Sequence, residues 1–344
     1  MIYCGGAMRF RAKGSRPFLF SALFLLSGCA IAPVTDDVAH VSASNIARQI
    51  RCEARQAVID ALLGYLTSAD NNVNKKKLDD YSFAIGNELE RAYNENPEAI
   101  RAFDPSQVTG FAHTVTKLLY STGIAYYYDL TGLETNNIDP AANLIRPTPI
   151  TSLVTLGLTG SFDRQRQNEW SFTITDNFGN LVQKTSGSYC ANHLVRTEDY
   201  IYPIAGKVGL AKLIKEFTLM SLFENLDELN KDVATVKKGP PSMVQQLQFT
   251  TAIGGGASPK IVFAPSGPQL QVTDVSFPVT VSRKDTHQLT VGLYLDKGEA
   301  KVLDAARGPI YEGSLITASG GRAEQGAARA VQQFLALKIF KPAL

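Results

Sequence analysis

Hydrophobic residues recur at helical spacing near the start of the chain and alternate with polar residues farther on. The first helical stripe consists of Ile46, Ile50, Ala54, Ala57, Ala61 and Tyr65. This spacing predicts an amphipathic helix over about 45–66, and similar patterning predicts a second over about 80–93. Asn96-Pro97 and Asp104-Pro105 each place a capping side chain before a proline, which is typical of a helix start. Residues 45–121 are therefore predicted to form a helical region.

Two later segments alternate apolar with small or polar residues, as half-buried strands do. The first alternating segment contains Val154, Leu156, Leu158, Phe162, Trp170, Phe172 and Ile174. The second contains Val275, Phe277, Val279, Val281, Leu289, Val291 and Leu293. Each segment is interrupted by charged residues, at 163–169 and 283–288, and we interpret both interruptions as hairpin turns. Pro278 lacks a backbone N–H, so we expect its strand to be an edge strand.

The two alternating segments belong to a predicted tandem duplication. Arg164 and Arg283 are 119 residues apart, as are Pro140 and Pro259. The segments 209–223 and 326–340 align without a gap and carry the same helical stripe. We predict repeat 1 over 122–230, a Pro- and Lys-containing linker over 231–245, and repeat 2 over 246–344.

The predicted fold class is α+β. An N-terminal helical region precedes two tandem repeated units, each an antiparallel sheet covered on one face by a helix. The uncovered face of the first unit is rich in hydroxyl groups and small residues, namely Thr155, Gly157, Thr159, Ser161, Thr173 and Thr175. This face is expected to meet solvent or a partner.

The N-terminus has the layout of an export signal. Four cations, Arg9, Arg11, Lys13 and Arg16, precede ten largely apolar residues, a run too short to span a bilayer. Leu26-Ser27-Gly28-Cys29 follows this run and resembles the lipobox of bacterial lipoproteins. An ordinary secretory leader with a chance cysteine, or an uncleaved anchor helix, remains the alternative interpretation.

The lipoprotein resemblance implies a cleaved signal peptide over 1–28, with translation starting at Met8, and an acylated Cys29 as the first mature residue. Residues 29–44 are then a tether. Lipoproteins of an inner membrane often carry an aspartate after the cysteine, whereas this chain has Ala30. The resemblance therefore implies an outer-membrane lipid anchor, and we expect the mature chain to face the periplasm.

Charge and cysteine content bear on nucleic-acid binding and on disulfide formation. Without the four leader cations, 30 basic residues remain against 32 acidic ones, and no basic stripe indicates nucleic-acid binding. Cys52 and Cys190 are the two remaining cysteines of the mature chain, so in an oxidising compartment we expect a disulfide between them. Two buried free thiols are the alternative.

No pattern of residues predicts catalysis, a metal site or a cofactor. His40, His113, His193 and His287 lack metal-ligand spacing to one another, to cysteine or to carboxylates. We expect His113 to be half-buried on its helix and His287 to lie in a solvated hairpin turn. Candidate partner-binding residues are the charged side chains at the predicted hairpin tips, Arg164, Arg166, Arg283 and Lys284.

Three functional hypotheses follow. The first is a non-enzymatic envelope lipoprotein that acts as a scaffold or binding protein, with an envelope protein or a second copy as its partner. The second is a subunit that contributes strands to a multi-chain outer-membrane assembly, which requires apolar residues on the lipid-facing side. The third is a small-ligand binder or enzyme with a cleft between the two repeats.

Overall fold

A computed structural model describes residues 33–35, 37, 40–68, 78–147, 153–191, 199, 201–224, 226, 241–263, 269–295 and 323–339. All of them belong to one unit, Pro33–Leu344. The described helices are α1 (Ala43–Leu66), α2 (Asp80–Glu95), α3 (Gly110–Ser121), α4 (Phe178–Lys184), α5 (Gly187–Cys190), α6 (Leu210–Phe223) and α7 (Ala323–Ile339), with 3-10 turns at Ala99–Ala102, Pro105–Gln107 and Pro203–Ala205. The described strands are β1 (Thr122–Ile138), β2 (Ala141–Pro147), β3 (Leu153–Thr159), β4 (Phe162–Asn177), β5 (Ser242–Ala257), β6 (Lys260–Val262), β7 (Gln271–Ser276) and β8 (Val279–Leu295).

The predicted helical region is confirmed, and its helices begin where capping residues stand. Ser42 accepts a hydrogen bond from the Asn45 N–H at the start of α1, and Asp79 accepts one from the Ser82 N–H at the start of α2. The cap at Asp104 opens only a 3-10 turn, and α3 follows it. These side chains satisfy backbone donors that would otherwise lack partners in the first turn.

The strands form two four-stranded antiparallel sheets. The proximal sheet has the order β4-β1-β8-β5, and the distal sheet has the order β3-β2-β7-β6. Each distal strand continues the proximal strand at the same position in the order. The backbone ladder is interrupted between them at Pro140, Pro259 and Pro278, which have no N–H to donate.

The register passes through this interruption unchanged. Ile138 pairs with Phe162 before it, and Ala141 pairs with Thr159 after it, so the strand positions remain in step. The same holds on the other side of β1 and β2, where Ile138 pairs with Val279 and Ala141 with Ser276. The two sheets are therefore two halves of one ladder.

The predicted hairpin turns at 163–169 and 283–288 are wrong. These residues lie inside β4 and β8, which run through without reversing direction. Within the strands, Arg166 and Arg283 have the cross-strand partner Glu134, whereas Arg164 and Lys284 are exposed. Pro278 is also not on an edge strand, because β7 and β8 are both central and the Pro278 carbonyl accepts a hydrogen bond from the Asp139 N–H.

The α+β class is confirmed, and the sheets show how the two predicted repeats combine. Each repeat contributes two adjacent strands to each sheet, and β1 of the first pairs with β8 of the second over seventeen residue pairs. The corresponding helices α6 and α7 lie on opposite faces of the proximal sheet. The core of α6 packs with Tyr126, whereas α7 packs with Ala125 and Tyr294.

The proximal sheet is thus the middle layer of three. On the α6 side, α1 and α3 complete a core whose largest fully buried side chains include Tyr126, Tyr128, Phe103, Phe178 and Phe217. Arg51 of α1 binds both carboxylate oxygens of Asp176 in β4, at 2.8 and 2.7 Å, and so attaches this helix to the edge of the sheet. No helix among the described residues is long and apolar enough to cross a membrane.

Candidate functional site

The distal sheet extends beyond the helices that cover the proximal sheet. The contacts of α1, α3, α6 and α7 with strands of the sheets are made with proximal strands. The distal strands contact one another, and their side chains are largely exposed. This exposed sheet is the most unusual surface of the described chain.

One face of the distal sheet is apolar, and we call it the apolar face. The register places Leu158, Ala142, Val275 and Ile261 in one row across it, and Leu156, Leu144 and Val272 in the next. Phe162, at the start of β4, adds a large side chain on the same side. Val154, Leu158 and Phe162 are 54%, 53% and 65% exposed, values that a buried core face does not show.

The opposite face is mostly polar or small, apart from Ile145 and the exposed Val262, and we call it the polar face. Its rows contain Thr159, Ala141, Ser276 and Lys260, then Gly157, Asn143, Asp274 and Val262. Toward the proximal sheet it continues with Asp163, Asn137, Thr280 and Gly256. The expected hydroxyl-rich face of Thr155, Gly157 and Thr159 is therefore present, and none of the described helices covers its apolar reverse side.

Both lateral edges of the sheets are long. β4 and β3 form one edge and β5 and β6 the other, and neither edge strand has a second strand partner among the described residues. β4 and β5 each span sixteen residues. Long edges beside exposed apolar side chains are ready to pair with another strand.

An ionic cluster crosses the middle of the ladder, where the proximal helices end. The Arg283 guanidinium, 11% exposed, binds the Asp285 carboxylate at 2.8 Å and lies 3.6 Å from Glu134. Glu134 in turn accepts a hydrogen bond from Arg166 at 2.9 Å. Asp285 is 1% exposed, so its charge depends on this arginine for compensation.

The described N-terminal residues 33–35 and 37 lie at this ionic cluster. Arg283 also donates to the Val34 carbonyl and pairs with Asp37 at 3.2 Å, and Asn168 donates to the Pro33 carbonyl at 3.1 Å. The chain that follows Cys29 in sequence is therefore attached to the junction of the two sheets.

His287 is buried beside this cluster, which corrects the expectation of a solvated turn residue. It lies in β8, and its ring nitrogen Nε2 is hydrogen-bonded to the Tyr202 hydroxyl, which also bonds Asp285 at 3.1 Å. Burial lowers the pKa of His287, and the nearby Asp285 carboxylate opposes that shift. The three side chains join the loop at 202 to β8.

The candidate partner-binding residues do not share one surface. Arg166 and Arg283 belong to the ionic cluster, and Lys284 is exposed on the opposite face of β8. Arg164 is exposed in the row that contains Asn136 and Val281. Arg166 and Arg283 thus form ion pairs within the fold. Their charge alone did not predict these ion pairs.

The expected cysteine pairing and the expectation for His113 are met, unlike the expectation for His287. Cys52 and Cys190 form a disulfide that joins α1 to α5, and both are buried. Closing so long a loop stabilises a fold by about 5 kcal/mol in the chain-entropy model. His113 is half-buried, with Nδ1 2.8 Å from the Pro105 carbonyl oxygen. Cys29, His193 and most of the linker 231–245 lie outside the described residues.

The described residues offer little for catalysis. No group of three or more metal-ligating side chains occurs within them. A cavity of about 730 Å³ beside α1 contains Glu53 and Glu98 in its lining, but both carboxylates accept backbone N–H groups, from Val208, Gly209 and Leu210 and from Gly187. The expected cleft between the repeats is absent from the described sheets, because β1 and β8 pair directly.

The amphipathic character of the distal sheet could be recognised only in part from the sequence. The alternation identified the strands, but it is the same for a core-facing and a lipid-facing strand. The available signal was phase: the apolar positions before and after the polar residues 163–169 are all even-numbered, and no proline lies between 153 and 177.

Comparison with known proteins places the chain in a family. The family described as "Uncharacterised protein y4kA" matches residues 32–308. A protein of that description from Sinorhizobium fredii is 28% identical over 296 residues, which cover 84% of this chain and 85% of that protein. The matched range includes the helical region and all eight strands, and Cys29 lies before it. The chain belongs to the Y4kA family.

Proposed function

We propose that the chain is a non-enzymatic, lipid-anchored subunit of a multi-chain assembly in the bacterial outer membrane, to which it contributes the distal sheet. The observation that carries this proposal is the two-sided distal sheet. Its apolar face suits lipid, and its polar face suits a water-filled interior. A scaffold that merely docked a soluble partner would not require both faces to be exposed along the same strands.

The size of the apolar face supports the same proposal. From Val154, which pairs with the exposed Arg146 at the outer border of the apolar face, to Phe162 the strand positions span nine residues, or about 27 Å at the rise of an extended strand. A strand crosses the hydrocarbon core of about 30 Å with about nine to eleven residues. β2, β7 and β6 span seven, six and three residues, so the ends of the proximal strands that continue them must complete the crossing. The part of the proximal sheet that helices cover on both faces is then outside the bilayer.

The need for several chains follows from the backbone. Four strands leave two unpaired edges, and an unpaired N–H or C=O in hydrocarbon costs several kcal/mol. Neighbouring copies satisfy these groups when the edge of each subunit pairs with the next. This requirement favours self-association over capture of a single soluble partner.

The proposed lipid anchor agrees with where the described N-terminus lies. Pro33 accepts a hydrogen bond from Asn168 of β4, six residues beyond Phe162, and Cys29 precedes Pro33 by four residues in sequence. We propose that an acyl chain on Cys29 inserts into the same bilayer as the apolar face. Together, the anchor and the sheet would fix the orientation of the subunit.

Envelope fractionation with charge substitutions on each face tests this function. The full chain, expressed in a bacterial host, is compared with Leu156→Arg/Leu158→Arg and with the matched polar-face pair Thr155→Arg/Thr159→Arg. Arginine on a lipid-facing position costs about 2–4 kcal/mol near the bilayer centre, whereas arginine on a lumen-facing position is tolerated. The measurements are the detergent-extracted mass and the membrane fraction.

We expect the wild type and the polar-face pair to be extracted as particles of several chains, and the apolar-face pair to lose this assembly. A single-chain mass for the wild type would contradict the proposal and favour a tethered scaffold. Equal behaviour of the two pairs would contradict the assignment of the faces.

A further inference from the structure

The contact between the two repeats inside one chain is a template for the contact between two chains. In the proximal sheet, β4 and β1 come from the first repeat and β8 and β5 from the second. β1 and β5 are corresponding strands, because the segment 123–138 shifted by 119 residues gives the range 242–257 of β5. β4 and β8 are likewise the second proximal strands of their repeats.

The internal junction therefore joins the first strand of one repeat to the last strand of the other, as β1 pairs with β8. The two free edges of the proximal sheet, β5 and β4, are strands of the same two types that pair at this junction. β5 is again a first strand with its outer side unpaired, and β4 is again a last strand with its outer side unpaired, among the described residues.

We propose that β5 of one copy pairs antiparallel with β4 of the next, which repeats the β1–β8 junction between chains and closes a ring of identical copies. This inference rests on the proposed function and adds the partner and the pairing edges. Each copy supplies one edge of each type, so the contact is head-to-tail and generates a ring where the rotation closes.

The two faces of the sheet restrict the register of this pairing. A shift by one residue would turn the apolar side chains of one copy toward the polar side of its neighbour. Within one chain the corresponding strands β1 and β5 lie level, with Ile138 and Ala257 both opposite Val279. If the next copy continues that level row, Ala257 faces Phe162 and Gln248 faces Ser171. An exact repeat of the β1–β8 register under the 119-residue shift is displaced by two residues, so that Ala257 faces Gly160 and Gln248 faces Glu169. Displacements by two residues keep the faces aligned.

Cysteine pairs introduced at the two edges test the proposal. A chain that carries both Gln248→Cys and Ser171→Cys has them on the opposite edges of a four-stranded sheet, about 14 Å apart at the usual strand spacing. A disulfide between them must therefore join different copies. Glu169→Cys and Thr173→Cys replace Ser171→Cys to sample displacements by two residues.

We expect oxidation in the membrane to give a ladder of covalent multimers from at least one of these three same-face pairs. Each single-cysteine variant should give no ladder beyond a dimer. Gln248→Cys combined with Trp170→Cys or Phe172→Cys should also give none, because the two side chains then lie on opposite faces.

The outcomes separate this inference from the proposed function. If the chain is extracted as a multi-chain particle but none of the same-face pairs forms a ladder, the edge pairing is wrong and the assembly uses another contact. A ladder from the opposite-face pairs would also overturn it. If no multi-chain particle exists at all, the proposed function itself fails.

Discussion

At the scale of single residues, the junction between the two sheets depends on one arginine. Arg283 compensates the buried Asp285 and approaches Glu134, and it holds the N-terminal segment through Val34 and Asp37. Charged groups at this position are needed because the apolar core ends here and the polar N-terminal backbone crosses the strands.

Replacement of Arg283 by methionine should therefore destabilise the chain. The Asp285 carboxylate would remain buried without its partner, which typically costs about 3–5 kcal/mol. Urea unfolding of the purified chain measures this loss. Lys284→Met is the matched control, since Lys284 is exposed on the other face and its loss should cost less than about 0.5 kcal/mol. Equal effects of the two substitutions would contradict the assigned role of Arg283.

The burial of His287 predicts a dependence of stability on pH. The pKa of His287 is lowered in the folded chain, so below the ordinary histidine pKa of about 6.5 the unfolded chain binds more protons than the folded one. The contribution of neutral His287 to the free energy of unfolding should therefore be fully present above this pH. It should be lost as the pH falls from there toward the lowered pKa of the folded chain. His287→Gln should flatten the profile between about pH 7.5 and 5 relative to the wild type, as measured by thermal unfolding.

An exposed histidine provides the control for this profile. His40 lies in the N-terminal segment, and His40→Gln should leave the profile as in the wild type. A wild-type stability that is constant across the range, or a His287→Gln profile as steep as the wild type, would show that His287 does not titrate in the way that its burial implies.

At the scale of elements, the sequence predicted helices better than strand connections. Local signals define helix starts, and Ser42 and Asp79 stand where α1 and α2 begin. The charged residues at 163–169 resemble a turn, but cross-strand ion pairs such as Arg166–Glu134 keep them within β4. Such partners come from distant parts of the chain, so local patterning cannot reveal them.

The packing of α7 on the sheet gives a prediction at this scale. A Cβ atom at Gly292 of β8 would lie 2.8 Å from the Ala327 carbonyl oxygen and 2.6 Å from a Val331 methyl group. Gly292→Ala should therefore push α7 away and destabilise the chain by about 1–3 kcal/mol. Urea unfolding measures the loss, and proteolysis should cleave the α7 region faster.

A second glycine in the same sheet serves as the comparison. Nothing lies within 4 Å of a Cβ atom at Gly255 of β5, so Gly255→Ala should leave stability unchanged or slightly higher. If Gly292→Ala behaves like Gly255→Ala, α7 does not pack on β8 as described.

At the scale of the whole molecule, the chain combines a covered half and an exposed half of one ladder. The α+β class and the Cys52–Cys190 pairing were both accessible from the sequence. The exposure of the distal sheet was not, because alternation of Leu156 and Leu158 with Thr155 and Gly157 fits both a covered and an uncovered sheet. What distinguishes the two cases is whether a helix packs on the sheet, and the described helices α6 and α7 both pack on proximal strands.

The central claim is that the apolar face of the distal sheet contacts lipid, and accessibility of single cysteines along β3 tests it most directly. Cysteine is placed in turn at positions 154 to 159 of the membrane-bound chain, labelled with a fluorophore, and exposed to a lipid-phase quencher and to a water-soluble one. We predict that Val154, Leu156 and Leu158 positions are quenched from lipid, and Thr155, Gly157 and Thr159 positions from water. Uniform quenching from water along the strand would contradict the claim and leave a tethered periplasmic scaffold as the better description.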